Sequence, residues 1–203
     1  MSITKLADRI AAELQAAITN FPAGFYDSFR FTQTGSNFAH PVTWGHLSQI
    51  AWQLPDVAHM AIDLRLNLGK DIKFQPDITA LNPSFEPLLF IDYESPNSSD
   101  ARIPSKDVDP YQAWREESNA NTPYLIVTTL PNRRIDDWEL RYTFRGSCNY
   151  AFRGRRAEVC QNPFLFWRAY YIAEFSKRDM QNIAMINVDG ANVRRVYPAE
   201  AEP

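Results

Sequence analysis

The chain has 203 residues, 45% hydrophobic and 13% aromatic, enough for one domain with a sizeable core, and no apolar run reaches the length that would exclude a soluble reading. A net charge of −3 argues against a polybasic binder of nucleic acid, while leaving room for a local basic cleft. Cys148 and Cys160 lack metal or redox spacing, and no basic, long-apolar leader opens the chain, so a cytoplasmic protein with reduced thiols and no membrane contact is expected.

Residues 2–19 predict an amphipathic helix, with Ile3, Leu6, Ala7, Ile10, Leu14, Ala17 and Ile18 on one stripe at the helical period. Glu13 falls on the flank of that stripe, where a solvated helix edge is the plainer reading. Residues 20–41 read as a loop with short extended pieces. Thr43 then reads as the cap of a second helix carrying Trp44, Leu47, Ile50, Ala51 and Leu54, ended by Pro55. His40, His46 and His59 have no metal-binding spacing. From Met60 the period changes to two, and Met60, Ile62, Leu64, Leu66 and Leu68 predict a half-buried strand. After a turn at Gly69-Lys70-Asp71, residues 72–78 predict another strand, with Lys73, Gln75, Asp77 and Thr79 on a polar face and Pro76 marking an edge or bulge.

Leu88-Leu89-Phe90-Ile91 predicts a strand buried on both faces, which runs into Asp92-Tyr93-Glu94 and is broken by Ser95-Pro96. Side chains two apart share a face, so Asp92 and Glu94 project together where the chain leaves the sheet. Carboxylates at the end of an apolar strand demand a partner; a divalent cation is one, and surface pairing with Arg102 or Lys106 is the other. The segment LNPSFEP closes a loose hairpin that makes the Asp77 and Asp92 strands neighbours. Residues 95–107 read as a polar loop carrying Arg102 and Lys106. Asp109, Pro110 and Gln112 read as the N-cap, first-turn proline and capping-box-like start of a helix to about Ser118, and residues 123–129 as another buried strand. Strand, helix and strand imply a parallel pair. The predicted core is therefore an α-β-β-β-α-β arrangement of the α/β (α+β) class, a mixed sheet flanked by helices.

Residues 138–145 predict a further strand. Between 141 and 156 lie Arg141, Arg145, Arg153, Arg155 and Arg156 with no acidic residue, interleaved with Tyr142, Phe144, Tyr150 and Phe152. Such a stretch either tracks a phosphate backbone and stacks on bases or is a solvated edge whose arginines pair with acids elsewhere. Residues 163–175 predict a helix apolar around most of its circumference, central to the core or half-buried in a partner; a homodimer contact is the favoured expectation. Residues 183–189 and 192–197 predict a hairpin on Asp189-Gly190, and the final PAEAEP reads as disordered. The whole is expected to be a single domain, with its core over about residues 2–131 and an elaboration over about 132–198. The absence of GxxxxGK[ST], GxGxxG, HExxH and GxSxG patterns removes the usual warrant for nucleotide hydrolysis, dinucleotide redox, zinc proteolysis and serine hydrolysis.

Pro76-Asp77, followed after a turn by Asp92-Tyr93-Glu94, resembles the signature of the PD-(D/E)xK nuclease superfamily, the restriction-endonuclease-like fold. With Ser95-Pro96, Asp100, Lys106 and Tyr111 downstream, the pattern is similar to a cyanobacteria-rich family of restriction-endonuclease-like proteins; the likeness covers about residues 74–131. It implies a Mg²⁺-dependent (or Mn²⁺-dependent) endonuclease hydrolysing phosphodiester bonds of nucleic acid, DNA rather than RNA. By that resemblance Asp77 and Asp92 are metal ligands and the Tyr93 carbonyl a third. Glu94 becomes a further ligand or orients a water, Lys106 stabilises developing charge, and Glu13 is the acid such proteins often supply from their first core helix. Glu94 stands where the superfamily usually has lysine, which makes Lys106 a relocated one. The arginines of 141–156 would position the backbone. The alternative is a catalytically inactive nuclease-fold protein serving as a nucleic-acid- or protein-binding module, and a third reading is an assembly protein whose carboxylates form a turn cluster.

Overall fold

The structure is a computed structural model that describes residues 2–20, 33–68, 72–94, 102–128, 163–189 and 192–199. The expected strand at 138–145, the arginine-aromatic stretch of 141–156, both cysteines and the end of the chain beyond 199 lie outside the described residues.

Helices α1 (Ile3–Ile18) and α2 (Gln33–Trp52) precede strands β1 (His59–Ile62), β2 (Leu66–Leu68), β3 (Ile72–Phe74), β4 (Ile78–Leu81) and β5 (Pro87–Glu94). A π-helical turn (Pro104–Val108) runs directly into α3 (Asp109–Ser118), and β6 (Tyr124–Thr128), α4 (Pro163–Phe175), β7 (Ile183–Asp189) and β8 (Asn192–Tyr197) follow. Six strands form one mixed sheet in the order β1-β4-β5-β6-β7-β8, while β2 and β3 pair as a separate antiparallel hairpin. Strand β4 runs antiparallel to both of its neighbours, β1 and β5; β5, β6 and β7 run parallel, and β8 returns antiparallel to β7. Among the described residues no helix is long and apolar enough to cross a membrane.

Period-two alternation in the central strands divides the core into two layers. Leu89, Ile91 and Tyr93 of β5, Leu125 and Val127 of β6, and Ala184, Ile186 and Val188 of β7 pack against α1 and α2. Phe90, Tyr124, Ile126, Ile183 and Met185 pack on the other face against α3 and α4. Helix α1 forms as its stripe predicts, with Leu6, Ile10, Leu14 and Ile18 buried and the Ser2 hydroxyl accepting the Lys5 amide at 3.4 Å. The α4 face is unusually aromatic. Phe166, Trp167, Tyr171 and Phe175 are all buried in the chain's own core, which takes up most of the apolar circumference that suggested a partner and leaves Leu165 and Ile172 exposed.

Several expectations need correction. Helix α2 begins at Gln33 and runs through Pro41, so residues 33–41 are helical and Thr43 is a buried interior residue instead of a cap. A single proline marks a helix boundary only by habit: it removes one backbone bond, which the remaining turns of a 20-residue helix outlast. The strand expected from Met60 to Leu68 is two strands, broken at Asp63, which takes a left-handed φ of 52° and donates its amide to the Asp77 carbonyl at 3.0 Å. Residues 72–78 likewise divide, leaving Gln75, Pro76 and Asp77 outside both β3 and β4, and Thr79 is buried within the sheet. Asp109 does not cap a helix because the π-helical turn already precedes it; its carboxylate instead pairs with Arg178 at 2.7 Å. Gln112 donates to the Asp179 carbonyl instead of reaching back as a capping box. Helix α3 ends at Asn119 with φ 50°, a left-handed terminus that asparagine tolerates well.

The small β2–β3 hairpin is anchored by Phe74, whose ring meets Phe90 and Tyr124 edge-on with centroids 5.1 and 5.4 Å away and lies 5.6 Å from Tyr111. Phe74→Ala is expected to cost about 3–5 kcal/mol in urea-denaturation stability, the range for removing a buried aromatic ring. A loss below about 1 kcal/mol would show that the hairpin is not tied to the core through this residue.

Candidate active site

The acidic residues of interest lie at the exit of β5. Because Leu89, Ile91 and Tyr93 face the α1–α2 layer, Asp92 and Glu94 face the α3 side, and both are buried, at 6% and 4% exposure. Strand β4 starts at Ile78 opposite Ile91, which leaves Asp77, one residue earlier, level with Asp92. Two reciprocal hydrogen bonds fix this juxtaposition. The Asp77 amide donates to Asp92 Oδ1 at 2.6 Å, and the Tyr93 amide donates to Asp77 Oδ2 at 2.7 Å. Asp77 is thereby held by its amide, its carboxylate and, through Asp63, its carbonyl. Tyr93 places its ring in the opposite core layer and only its backbone at the cluster.

Lys106 comes to the same place from the π-helical turn. Its ammonium bonds Glu94 Oε1 and lies 3.3 Å from Asp107 Oδ1. Burial alone would lower the lysine, but the Asp107 and Glu94 carboxylates outweigh it and hold the ammonium above the ordinary lysine value. Asp107 is a buried acid that the sequence reading left inside a polar loop. Burial, then the neighbouring Glu94 and Asp92 charges, push its carboxyl well above the usual range. A turn widened to π geometry sets Ile103 and Val108, five residues apart, both into the core, with Lys106 and Asp107 carried between them to the Glu94 end of β5.

Tyr124 completes the cluster from below. Its hydroxyl donates to Asp92 Oδ2 from a fully buried ring on the neighbouring parallel strand, where it pairs with Phe90 two residues before Asp92. Burial and the Asp92 charge keep that hydroxyl protonated well above the normal tyrosine value. Asp92 itself is pushed up to about 7, by burial and by the Asp77 carboxylate, against the opposing pull of the Tyr124 and Asp77 hydrogen bonds.

The structure thus brings together Asp77, Asp92, the Tyr93 backbone, Glu94 and Lys106, and adds Asp107 and Tyr124. It does not bring Glu13 there: this residue pairs with Arg9 at 2.8 Å on α1, which packs on the opposite face of the sheet. Arg141, Arg145, Arg153, Arg155 and Arg156 lie outside the described residues. Among the described residues no three acidic, histidine or cysteine side chains are already gathered around one point. The donor set nonetheless suits a hard cation. Glu94 Oε2 and Asp107 Oδ2 are buried oxygens with no hydrogen-bond partner, and the Glu94 and Asp107 carboxylates share the Lys106 ammonium.

No family model, curated protein or solved structure matches the chain.

The Asp92 value carries a stability consequence. Its folded-state pKa of about 7 lies above its ordinary 3.8, so the folded protein prefers the protonated form. This contribution is complete below the lower value and is lost as the pH rises through the higher one. Asn in its place keeps an oxygen for the Asp77 amide and removes the charge. Asp92→Asn is therefore expected to match the parent in urea stability at pH 4 and to exceed it by on the order of 1–3 kcal/mol at pH 8 without divalent cations. An offset that is the same at both pH values would contradict the assignment.

Proposed function

We propose that this protein is a Mg²⁺-dependent phosphodiesterase of the PD-(D/E)xK type, with a restriction-endonuclease-like core, acting on nucleic acid and on DNA in preference to RNA. One observation carries the reading: Asp77, Asp92, Glu94 and Lys106, far apart in the chain, meet at the exit of β5 with carboxylate oxygens left unpaired in a buried setting. The succession of α1, β1, β4, β5, α3 and β6, with an antiparallel run joined to a parallel partner, also supports it.

Asp77 and Asp92, with the Tyr93 carbonyl, would hold the cation, and Mg²⁺ or Mn²⁺ is the expected ion for an all-oxygen set that keeps several waters. Bound there, the cation would offset phosphate charge and make a water easier to deprotonate. The chain's own residues supply the rest. Tyr124 holds one oxygen of Asp92, and the Asp77 amide holds the other, so that carboxylate cannot swing. Glu94 is placed to accept the proton of the attacking water or to turn toward the cation, and its Oε1 accepts a hydrogen bond from the Lys106 ammonium. The Lys106 ammonium, less than two-thirds enclosed, is the positive group available to the phosphate as negative charge builds on its oxygens. The arginines of 141–156 would contact the flanking phosphate backbone, and pairing of two chains through Leu165 and Ile172 on α4 would give two such sites, as cutting both strands of a duplex requires.

Incubating the protein with supercoiled plasmid and with single-stranded DNA in Mg²⁺ or Mn²⁺ tests this directly. Cleavage is expected from the parent, with losses of about 10³-fold or more in Asp77→Ala and Asp92→Ala and of about 10²-fold in Lys106→Ala, the scale for removing a group that stabilises transition-state charge. Salt-sensitive DNA binding with no cleavage, undiminished in Asp77→Ala, would favour the non-catalytic binding module instead.

A further inference from the structure

Asp92 and Glu94 are buried, whereas Asp77 keeps part of its surface in water and so does the Lys106 side chain. The acid cluster therefore meets solvent at Asp77 and Lys106. The β2–β3 hairpin stands on the Asp77 side. It lies outside the six-stranded sheet and is rooted on the same face as the acids: Phe74 packs edge-on against Tyr124 at 5.4 Å, and the Tyr124 hydroxyl holds Asp92. Both ends of the hairpin run into the Asp77 segment. Gln75 precedes Asp77 by two residues, and Arg65 follows by two residues Asp63, whose amide bonds the Asp77 carbonyl at 3.0 Å.

Period-two alternation gives the hairpin an inner and an outer face. Leu66 and Phe74, opposite each other, pack inward, while Arg65, Lys73 and Gln75 are exposed. Arg65 Nε donates to Gln75 Oε1 at 3.1 Å across the hairpin, which sets both on the outer face. Among the described residues from 64 to 75 none is acidic. Arg9, Lys106, Arg115, Lys177, Arg178 and Arg195 each pair with a carboxylate, whereas among the described residues Arg65 and Lys73 have no such partner. A chain of net charge −3 thus places an exposed, acid-free cationic face beside its acid cluster, where an approaching phosphate strand meets favourable charge. The exposed residues Arg65, Lys73 and Gln75 include no aromatic ring of the kind that grips single strands by stacking on bases. Cations and an amide suit the phosphates of a duplex, and a two-stranded ribbon is narrow enough for the major groove.

We propose that the outer face of the β2–β3 hairpin, with Arg65, Lys73 and Gln75, is a duplex-DNA contact surface that holds the phosphate backbone on the Asp77 side of the scissile bond. The proposal rests on the nuclease reading and adds to it the form of the substrate and a set of binding residues. Lys73 is four residues before Asp77, at most about 14 Å along an extended chain, and Gln75 is half as far. At about 3.4 Å of axis per phosphate on one strand, Arg65 and Lys73 contact phosphates within roughly four of the reacting one. Such contacts position the duplex without reading its sequence.

The test follows binding of a fluorescent duplex oligodeoxynucleotide by anisotropy over a range of salt in EDTA, and cleavage of the same duplex in Mg²⁺. The proteins are the parent, Arg65→Ala, Lys73→Ala, the double variant and Lys5→Ala, an exposed cation on α1 across the sheet, each checked by its thermal melt. Arg65→Ala and Lys73→Ala are each expected to reduce the slope of log K against log salt by about 0.9, one phosphate contact, and the double variant by about twice that. In the double variant KM for duplex cleavage rises about tenfold with kcat within about twofold, as loss of binding made equally in ground and transition states requires. Lys5→Ala keeps the parent's slope and KM, and the duplex binds the parent more tightly than either of its strands alone. An unchanged slope in the double variant, an equal loss in Lys5→Ala, or tighter binding of a single strand overturns the hairpin assignment and leaves the nuclease reading to the cleavage result. Duplex binding with the expected slopes but no cleavage in Mg²⁺ overturns the nuclease reading and keeps the hairpin as a duplex contact. A parent that neither binds nor cuts DNA overturns both.

Discussion

Two backbone amides decide where the charge of this protein sits. The amide of Asp77 is bonded to the carboxylate of Asp92, and the amide of Tyr93, next to Asp92, is bonded to the carboxylate of Asp77. Each acid therefore binds the backbone that carries the other, and the start of β4 cannot move relative to the end of β5 without breaking both bonds. Charge-assisted bonds of this kind are worth roughly twice a neutral pair, and here they replace the ladder bonds that end where β4 begins. The exchange leaves two carboxylates side by side at the edge of an apolar sheet. Everything else at the site answers that crowding: the Tyr124 hydroxyl from β6, the Lys106 ammonium from the π-helical turn, and the upward shift of Asp92.

That compensation is incomplete. Tyr124 and Lys106 satisfy one oxygen each of Asp92 and Glu94, whereas Glu94 Oε2 and Asp107 Oδ2 remain buried without donors. A buried acceptor without a partner costs about 1–3 kcal/mol, and more when it carries charge. A fold under selection for stability alone would place amide, leucine or valine at some of these positions. On the proposed reading, that local cost at the carboxyl ends of parallel strands is retained because the site takes a charged ligand.

Much of this was legible in the sequence. Apolar runs ending in Asp92-Tyr93-Glu94, and the strand-helix-strand order after it, were enough to place Asp77 beside Asp92 and to make β5 and β6 parallel. Lys106 was legible as a candidate, though not the shape of the chain that delivers it. The spacing of five between Ile103 and Val108 matches no α-helical stripe, so the segment reads as loop; a π turn accommodates it, and Asp107 went unnoticed for the same reason. Tyr124 carried a usable signal, since a tyrosine in a fully buried strand needs an acceptor and the parallel partner offers Asp92. The break at Asp63 was hidden by a long-range contact, the bond from the Asp63 amide to the Asp77 carbonyl, overriding local pattern.

The central claim is that the strand-end carboxylates form a site that a divalent cation completes. Calorimetric titration of Mn²⁺ into the protein at pH 8, beside Asp77→Ala and Asp92→Ala proteins of verified fold, tests it most directly. The account predicts saturable binding by the parent that is lost in both variants and weakens as the pH falls below about 7, where Asp92 takes up its proton. No binding by the parent at pH 8, or binding that survives both substitutions, would contradict it.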